Sequence, residues 1–527
     1  MVLIGALLSM VIAMAMLPPL TALARRVGIL ALPELRKVHV GEIPQIGGVA
    51  IMVGAVFGAT LLLPATQRYL TYLAGVAAVF LIGLFDDYHA LGHRAKFAVQ
   101  YVAAGIAVAG GGLAMVSFNA PLGMLPVWLG GPLAVIALVQ ITNAVNLADG
   151  LDGLAGGLCL LSCLALAICG YQVGDAQAMV IALMIAGSVI GFLRFNTHPA
   201  RVFMGDNGAY FLGFSLGVIA LGLSANAVEP MSLTATVMLL GVPVLDALFV
   251  PIYRAAMRKP LFVADRSHLH HRLLHAGFSH RSAVAMMYAF HSALLMVGYA
   301  LRSAPEWILL PTFAALATLV ECSPVWVVPL QRWLKNHTTS IRPSGWLGHA
   351  LDIAAWFALL GSILVATASA QSISVDFVAG SIAALLALGA SQVLRRDRGL
   401  GWGDRCALYV LGAYTVYFGT LDNPLGAVTD LVLFVTIGGW FVYRLVADRA
   451  LGFALTPLDL IVVVATGAIA LVGREHFEAL TLDVVKLVVW FYAIELLAAD
   501  PARANWLRGL GYLGLALISA RGLMGFG

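Results

Sequence analysis

The sequence predicts an all-α polytopic membrane protein, and three observations lead there. Of 527 residues, 61% are hydrophobic and only 11% are charged, about half the charged share of a soluble domain. Mean hydropathy is +0.95. Apolar runs of roughly 17–23 residues, long enough to cross a hydrocarbon core as a helix, follow one another along nearly the whole chain. Strand-like alternation is absent, so helices rather than a barrel satisfy the backbone in lipid.

The runs mark eighteen spans. Eleven lie near 2–22, 48–64, 69–85, 97–114, 125–145, 154–171, 177–193, 208–224, 232–253, 283–301 and 307–330. Seven more lie near 350–368, 376–394, 406–420, 430–443, 459–473, 484–499 and 508–524. The natural division is a domain over 1–330, a basic cytoplasmic linker over 331–349 (QRWLKNHTTSIRPSGWLGH) and a second membrane domain over 350–527. The first run lacks a basic leader and reads as a retained span rather than a signal peptide.

Lysine and arginine set the orientation. Loops on one side hold 25 of them, whereas Arg68, Arg302, Arg474, Lys486 and Arg521 are the 5 on the other. That asymmetry makes the basic side cytoplasmic and turns both termini outward. The net charge of +4 is confined to membrane-adjacent loops and gives no reason to expect nucleic acid. Five cysteines (159, 163, 169, 322 and 406) form neither a disulfide framework nor a metal pair, and most lie within apolar runs and read as small buried hydrophobes.

Four polar clusters fall at cytoplasmic ends of early spans. Asp86 and Asp87 close a span in FDDYHALGHRAK. Adjacent carboxylates repel unless they share a cation or proton, although a solvated acidic turn would also look like this. In NAVNLADGLDGLAGG, Asn143, Asn146, Asp149 and Asp152 recur every third residue, close together on a helical turn that Gly150 and Gly153 then break. Oxygen-only donors suit magnesium, which completes its shell with water and phosphate; a polar loop cap is the plainer alternative. In RVFMGDNGAYFLG, Asp206 and Asn207 precede a span, where helix capping alone would explain either. Phe203 offers a face for a base, or simple packing. In RKPLFVADRSHLHHRLLHAGF, His268, His270, His271 and His275 crowd with Arg266 and Arg272. Two of these histidines could share zinc, but no cysteine accompanies them and the arginines favour phosphate. A purely structural loop is again the alternative. Asp246 lies about two turns inside its span, either functional or a carboxylate that packs helices.

Asp86-Asp87 with LGHRAKFAVQ, then NAVNLADGLDGL, FMGDNG and DRSHLHHRLL, resemble in order and loop position the polyprenyl-phosphate N-acetylhexosamine-1-phosphate transferases. This is the glycosyltransferase family 4 of WecA, TagO and MraY. The DRSHLHH form is closer to the WecA branch than to MraY, whose motif is a run of three histidines. The resemblance covers about residues 1–330 and implies direct transfer of a sugar-1-phosphate from a UDP-sugar, by default UDP-N-acetylglucosamine, to polyprenyl (undecaprenyl) phosphate, with release of UMP. It implies magnesium, or manganese in its place, held by Asn146 and Asp206. Lys96 would meet a phosphate and Phe203 would stack on uracil. Asp86 or Asp87 would orient or deprotonate the acceptor. Asn143, Asp149 and Asp152 would bind donor or support the metal ligands. His268, His270 and His271, with Arg266 and Arg272, would hold donor phosphate or sugar. The resemblance also implies a bacterial inner membrane, a cytoplasmic active site, membrane-lipid contact and a product that begins a cell-envelope glycan such as O-antigen; a homodimer is compatible with it.

Two rival classes fit less well. A secondary transporter of an anionic metabolite or lipid carrier predicts internal repeats and polar residues near the midplane, whereas these clusters lie at one boundary. A prenyltransferase would carry paired N-D-x-x-D repeats, which the sequence lacks. Residues 350–527 match no motif.

Overall fold

Apolar runs become helices here because lipid offers the backbone no other hydrogen-bonding partner. The computed structural model describes residues 2–31, 42–89, 91–114, 116–226, 228–258, 267–329, 345–369, 375–393, 404, 407, 408, 411, 412, 490 and 504–524. Two compact units divide between Pro329 and Leu330.

The first unit begins with α1 (Val2–Val27), β1 (Leu30–Ala31), β2 (Ile43–Pro44), α2 (Gly47–Leu62), α3 (Gln67–His89) and α4 (His93–Gly111). It continues with α5 (Val127–Ala148), α6 (Leu154–Gln172), α7 (Ala176–Asn196), α8 (Gly205–Ser224), α9 (Leu233–Leu240) and α10 (Val242–Ala256). Next come α11 (Leu269–His275), α12 (His280–Ala300) and α13 (Glu306–Glu321), and last the short α14 (Ser323–Pro329). In the second unit the described helices are α15 (Gly345–Ser369), α16 (Val375–Val393) and α17 (Ala504–Met524). There α17 packs against both α15 and α16.

Seven helices among the described residues are long and apolar enough to cross a membrane, or nine if each bent pair is one span. The chain is a multi-pass helical membrane protein. At 16 residues α2 falls short of a full crossing, and α4 opens on His93, Arg94 and Lys96.

The structure adds detail to four expectations. The single span at 232–253 is two helices, α9 and α10, bent by 100°. Gly241 makes the bend at φ +60, a conformation that side chains resist. The span at 307–330 is likewise bent, by 55° between α13 and α14. The all-α expectation holds, with one short antiparallel pair between β1 and β2. Helix α15 begins at Gly345, inside the stretch read as a linker. The spans at 430–443 and 459–473 lie outside the described residues, as do nearly all of those at 406–420 and 484–499.

Helix α8 is the core of the first unit, its 18-residue apolar window wholly buried. It packs against α2, α3, α5 and α6. Close approach needs small residues on the facing helices. A Cβ on Gly48 of α2 would lie 2.0 Å from Asn207 Oδ1, and one on Gly83 of α3 would lie 2.6 Å from Asn207 Cα. Outward-facing Leu81 and Val102 are 60% and 63% exposed, as lipid contact requires. Trp128 and Trp307, still more exposed, stand at the starts of α5 and α13, where amphipathic rings anchor to a membrane–water boundary.

Candidate active site

The ends of α3, α5 and α7 and the starts of α6, α8 and α12 meet at one end of the first unit. The meeting point is built on the N-terminus of α8, whose leading amides have no partner within their own helix. Asp87, arriving from α3, supplies one. Its Oδ1 accepts from Asp206 N (2.8 Å), and its Oδ2 accepts from Asn207 N (3.1 Å) and from the Asn207 side-chain amide. Asp87 thus caps α8 and fixes the backbone that presents Asp206.

Asp86 does something different. Its Oδ2 accepts from Lys96 Nζ (2.8 Å) and its Oδ1 from Leu91 N (2.6 Å). Lys96 also lies 3.7 Å from Asp206 Oδ2, so one cation spans two carboxylates. Asp206 accepts in addition from Asn146 Nδ2 (2.9 Å) and the Tyr210 hydroxyl (3.3 Å).

Of these groups, Asn146 and Asp206 border a cavity of about 320 Å³. Asn146, Asp149, Gly150 and Asp152 form one wall, Asp206, Gly205 and Phe203 another, and Gln45, Asn196, His271 and His280 complete it. Phe203 is held there by its backbone: its amide donates to Pro44 O (2.8 Å) and its carbonyl accepts from Gly47 N (2.9 Å). Burial, reinforced by the carboxylates of Asp206, Asp87 and Asp152, pushes the Asp149 carboxyl up to about 7. Negative charge therefore accumulates around oxygen-bearing side chains, the setting a hard divalent cation relieves. Asn146 and Asp206, already in contact, are the oxygen-bearing side chains closest to that setting.

The histidine motif reaches the cavity through a relay. Asp246 Oδ2 binds His268 Nδ1 (2.7 Å), while its Oδ1 accepts from Leu269 N (3.0 Å) and caps α11. His270 is buried beneath Gly150, where an added Cβ would meet its Nε2 at 2.3 Å. Burial, then the neighbouring His271, lowers the His270 pKa to about 3, so it is neutral. Only His271 of the motif lines the cavity among the described residues.

Several expected contacts fall elsewhere, and Asp86, Asp87 and Lys96 are not among the residues that line the cavity. Asn143 donates to Gln100 Oε1 (2.6 Å) and Val139 O (2.8 Å), one turn away from the cavity wall. Arg272 turns toward α13, where it pairs with the buried Glu321 carboxylate and donates to Glu321 O (2.7 Å). His268 is spent on Asp246. Arg266 lies outside the described residues. Sequence reasoning passed over Gln45, Asn196, His198 and His280. The tetrad Asn196-Thr197-His198-Pro199, polar in an apolar chain just ahead of FMGDNG, was the available signal.

The fold and cavity define a class: a multi-pass membrane protein with an acidic, oxygen-rich site at one end of its helical bundle. The family model described as glycosyl transferase family 4 matches residues 69–224, which carry α3 to α8. A Bacillus subtilis (strain 168) protein named "Probable undecaprenyl-phosphate N-acetylglucosaminyl 1-phosphate transferase" is 33% identical over 315 residues, covering 58% of this chain and 87% of its own. A decaprenyl-phosphate N-acetylglucosaminephosphotransferase of Mycobacterium tuberculosis (strain ATCC 25618 / H37Rv) is 38% identical over 307 residues, 51% of this chain and 75% of its own. An undecaprenyl-phosphate alpha-N-acetylglucosaminyl 1-phosphate transferase of Escherichia coli (strain K12) is 26% identical over 301 residues, 55% and 82% respectively. The chain belongs to glycosyl transferase family 4.

Proposed function

We propose that the first unit transfers N-acetylglucosamine-1-phosphate from its UDP-sugar to polyprenyl phosphate, and that UMP leaves. The observation that carries this reading is the convergence of Asn146, Asp149, Asp206 and Phe203 on one cavity at the end of the bundle. An oxygen of the lipid phosphate forms a bond to the β-phosphorus of the donor as the bond from that phosphorus to the UMP oxygen breaks. The lipid phosphate is already largely ionised near neutral pH, so positioning and charge compensation matter more than a base.

Asn146 and Asp206 would hold magnesium. Bound there, the ion would supply charge neutralisation for the diphosphate and for the departing oxygen. Lys96, steadied by Asp86, meets a phosphate as a point charge. Phe203 stacks on the uracil ring, and His271 with Asp152 faces donor phosphate or sugar. Asp87 positions Asp206 from behind. The excess of lysine and arginine supports a cytoplasmic site in a bacterial inner membrane, where a soluble donor meets a lipid acceptor. The second unit is an additional membrane domain outside this chemistry. Clustering of the polar groups at one end argues against the transporter reading.

The test is UMP release by the purified protein from UDP-N-acetylglucosamine, polyprenyl phosphate and magnesium. Release requires the lipid, and Asp206→Ala is expected to abolish it while the protein stays folded. UMP release by Asp206→Ala at the wild-type rate would remove that residue from the metal site.

A further inference from the structure

Two residues that line the cavity, Asp152 and His280, belong to a second cluster of different chemistry. Asp152 comes from the turn between α5 and α6, His198 from the loop between α7 and α8, and His280 from the first position of α12. One ligand atom from each lies within 4.8 Å of the other two. His198 Nδ1 is 2.7 Å from Asp152 Oδ2. His280 Nε2 is 3.3 Å from the Asp152 carbonyl oxygen. The two imidazoles stack with centroids 4.1 Å apart.

The proton placement follows from these bonds. A carbonyl oxygen only accepts, so Nε2 of His280 is the donor. In the neutral ring Nδ1 is then a bare lone pair, and this atom is buried with no hydrogen-bond partner. A buried acceptor that meets no donor carries a desolvation cost. A proton donor or a divalent metal ion would answer such a lone pair. The surroundings are built to hold it. Asp152 Oδ2 also accepts from Ala200 N (3.1 Å). The turn that bears Asp152 is pinned where Gly153 N donates to Asn196 Oδ1 (3.0 Å) and Gly153 O accepts from the Tyr288 hydroxyl (2.6 Å). Outer contacts of this kind orient the ligands of metal sites.

We propose that Asp152, His198 and His280 form a site for a late first-row divalent ion such as zinc, separate from the oxygen-only site at Asn146 and Asp206. Two imidazoles and one carboxylate, with a fourth position open, make a donor set that zinc uses. Nitrogen donors select against magnesium, so the two sites sort ions by hardness. Asp152 and His280 both line the cavity. Zinc bound there takes up donor space and inhibits turnover; that consequence rests on the proposed transfer reaction, whereas the binding itself does not.

The experiment therefore measures metal and not turnover. The purified full-length protein, kept in saturating magnesium, is titrated with zinc by calorimetry and with cobalt(II) by visible absorption. Expected are a single tightly bound zinc and the intense bands of four-coordinate cobalt. Changing an outer contact of a metal site costs about 10–100-fold in affinity, so loss of a ligand in His198→Ala or His280→Ala is expected to cost more. His93→Ala, on the exposed start of α4, is expected to bind zinc as the wild type does. Zinc affinity unchanged in both ligand variants, as binding by the α11 histidines would give, overturns the proposal. So does a cobalt spectrum of the wild type with only the faint bands of a six-coordinate ion, a result that needs no variant to fold.

Discussion

Replacing Asp87 by alanine should unfold the protein more readily, whereas the same change at Asp86 should mainly slow it. The two carboxylates are adjacent in sequence yet serve different neighbours. Asp87 accepts from three donors at the start of α8: two backbone amides at 2.8 and 3.1 Å and the Asn207 side chain. Each donor orphaned in a buried place costs about 1–3 kcal/mol. Water reaches part of this site, so the low end applies, and the three together come to about 3 kcal/mol. Loss of an N-cap alone, about 0.5–2 kcal/mol, sets the floor. At roughly 2–4 °C per kcal/mol in domains of 150–250 residues, the midpoint falls by several degrees. Asp86 loses one ion pair and one backbone bond, and Lys96 stays within reach of Asp206; about 1 kcal/mol is the expected cost. The assay is thermal unfolding in detergent at one scan rate, paired with UMP release. An Asp87→Ala variant as stable as wild type, or less affected than Asp86→Ala, would refute the assignment of Asp87 as the cap of α8.

Two further outcomes follow from named contacts. Asp149 has a pKa near 7 in the folded chain against an ordinary 3.8, through burial and then the carboxylates around it. Its contribution to stability is present at low pH and is lost as pH rises through about 7; a bound cation opposes that loss. The proposed magnesium would compete with this proton, so its apparent affinity should rise from about pH 6 to about pH 8, and a flat profile in a binding titration would contradict the proposed placement. His291 clasps the bend between α9 and α10: its Nδ1 accepts from Val242 N (3.1 Å) and its Nε2 bonds Ser162 Oγ (3.1 Å). His291→Leu strands both partners in the core and should cost about 2–4 kcal/mol in thermal unfolding, with His291→Gln closer to wild type; equal stability of all three would show that the clasp does not hold the bend.

Hydropathy and charge made the helical class and the polar end of the bundle legible. Periodicity could not show the bend at Gly241, because both halves are apolar and hydropathy runs straight through. The cue was Gly241 followed by Pro243, a residue suited to the first turn of a new helix. Asp246 was open between function and packing; the structure shows it tied to His268 and α11, which no local pattern reveals because its partner is 22 residues away. Arg272 looked like a phosphate ligand beside the histidines, but Glu321, 49 residues on, claims its guanidinium. Asp86 and Asp87 were indistinguishable as a sequence pair. Only the crossing of α3 over the start of α8 separates the carboxylate that holds Lys96 from the one that caps a helix. His198 escaped notice because it stands alone in sequence, and His280 because it lies just past the histidine motif; only folding brings them to Asp152.

Position-specific labelling decides whether sugar and phosphate travel together. UDP-N-acetylglucosamine labelled at the α-phosphorus or at the β-phosphorus is supplied to the purified protein with polyprenyl phosphate and magnesium. Transfer of sugar-1-phosphate sends the β label into the lipid product and the α label into UMP. Recovery of both labels in UDP, with an unlabelled sugar on the lipid, would contradict it.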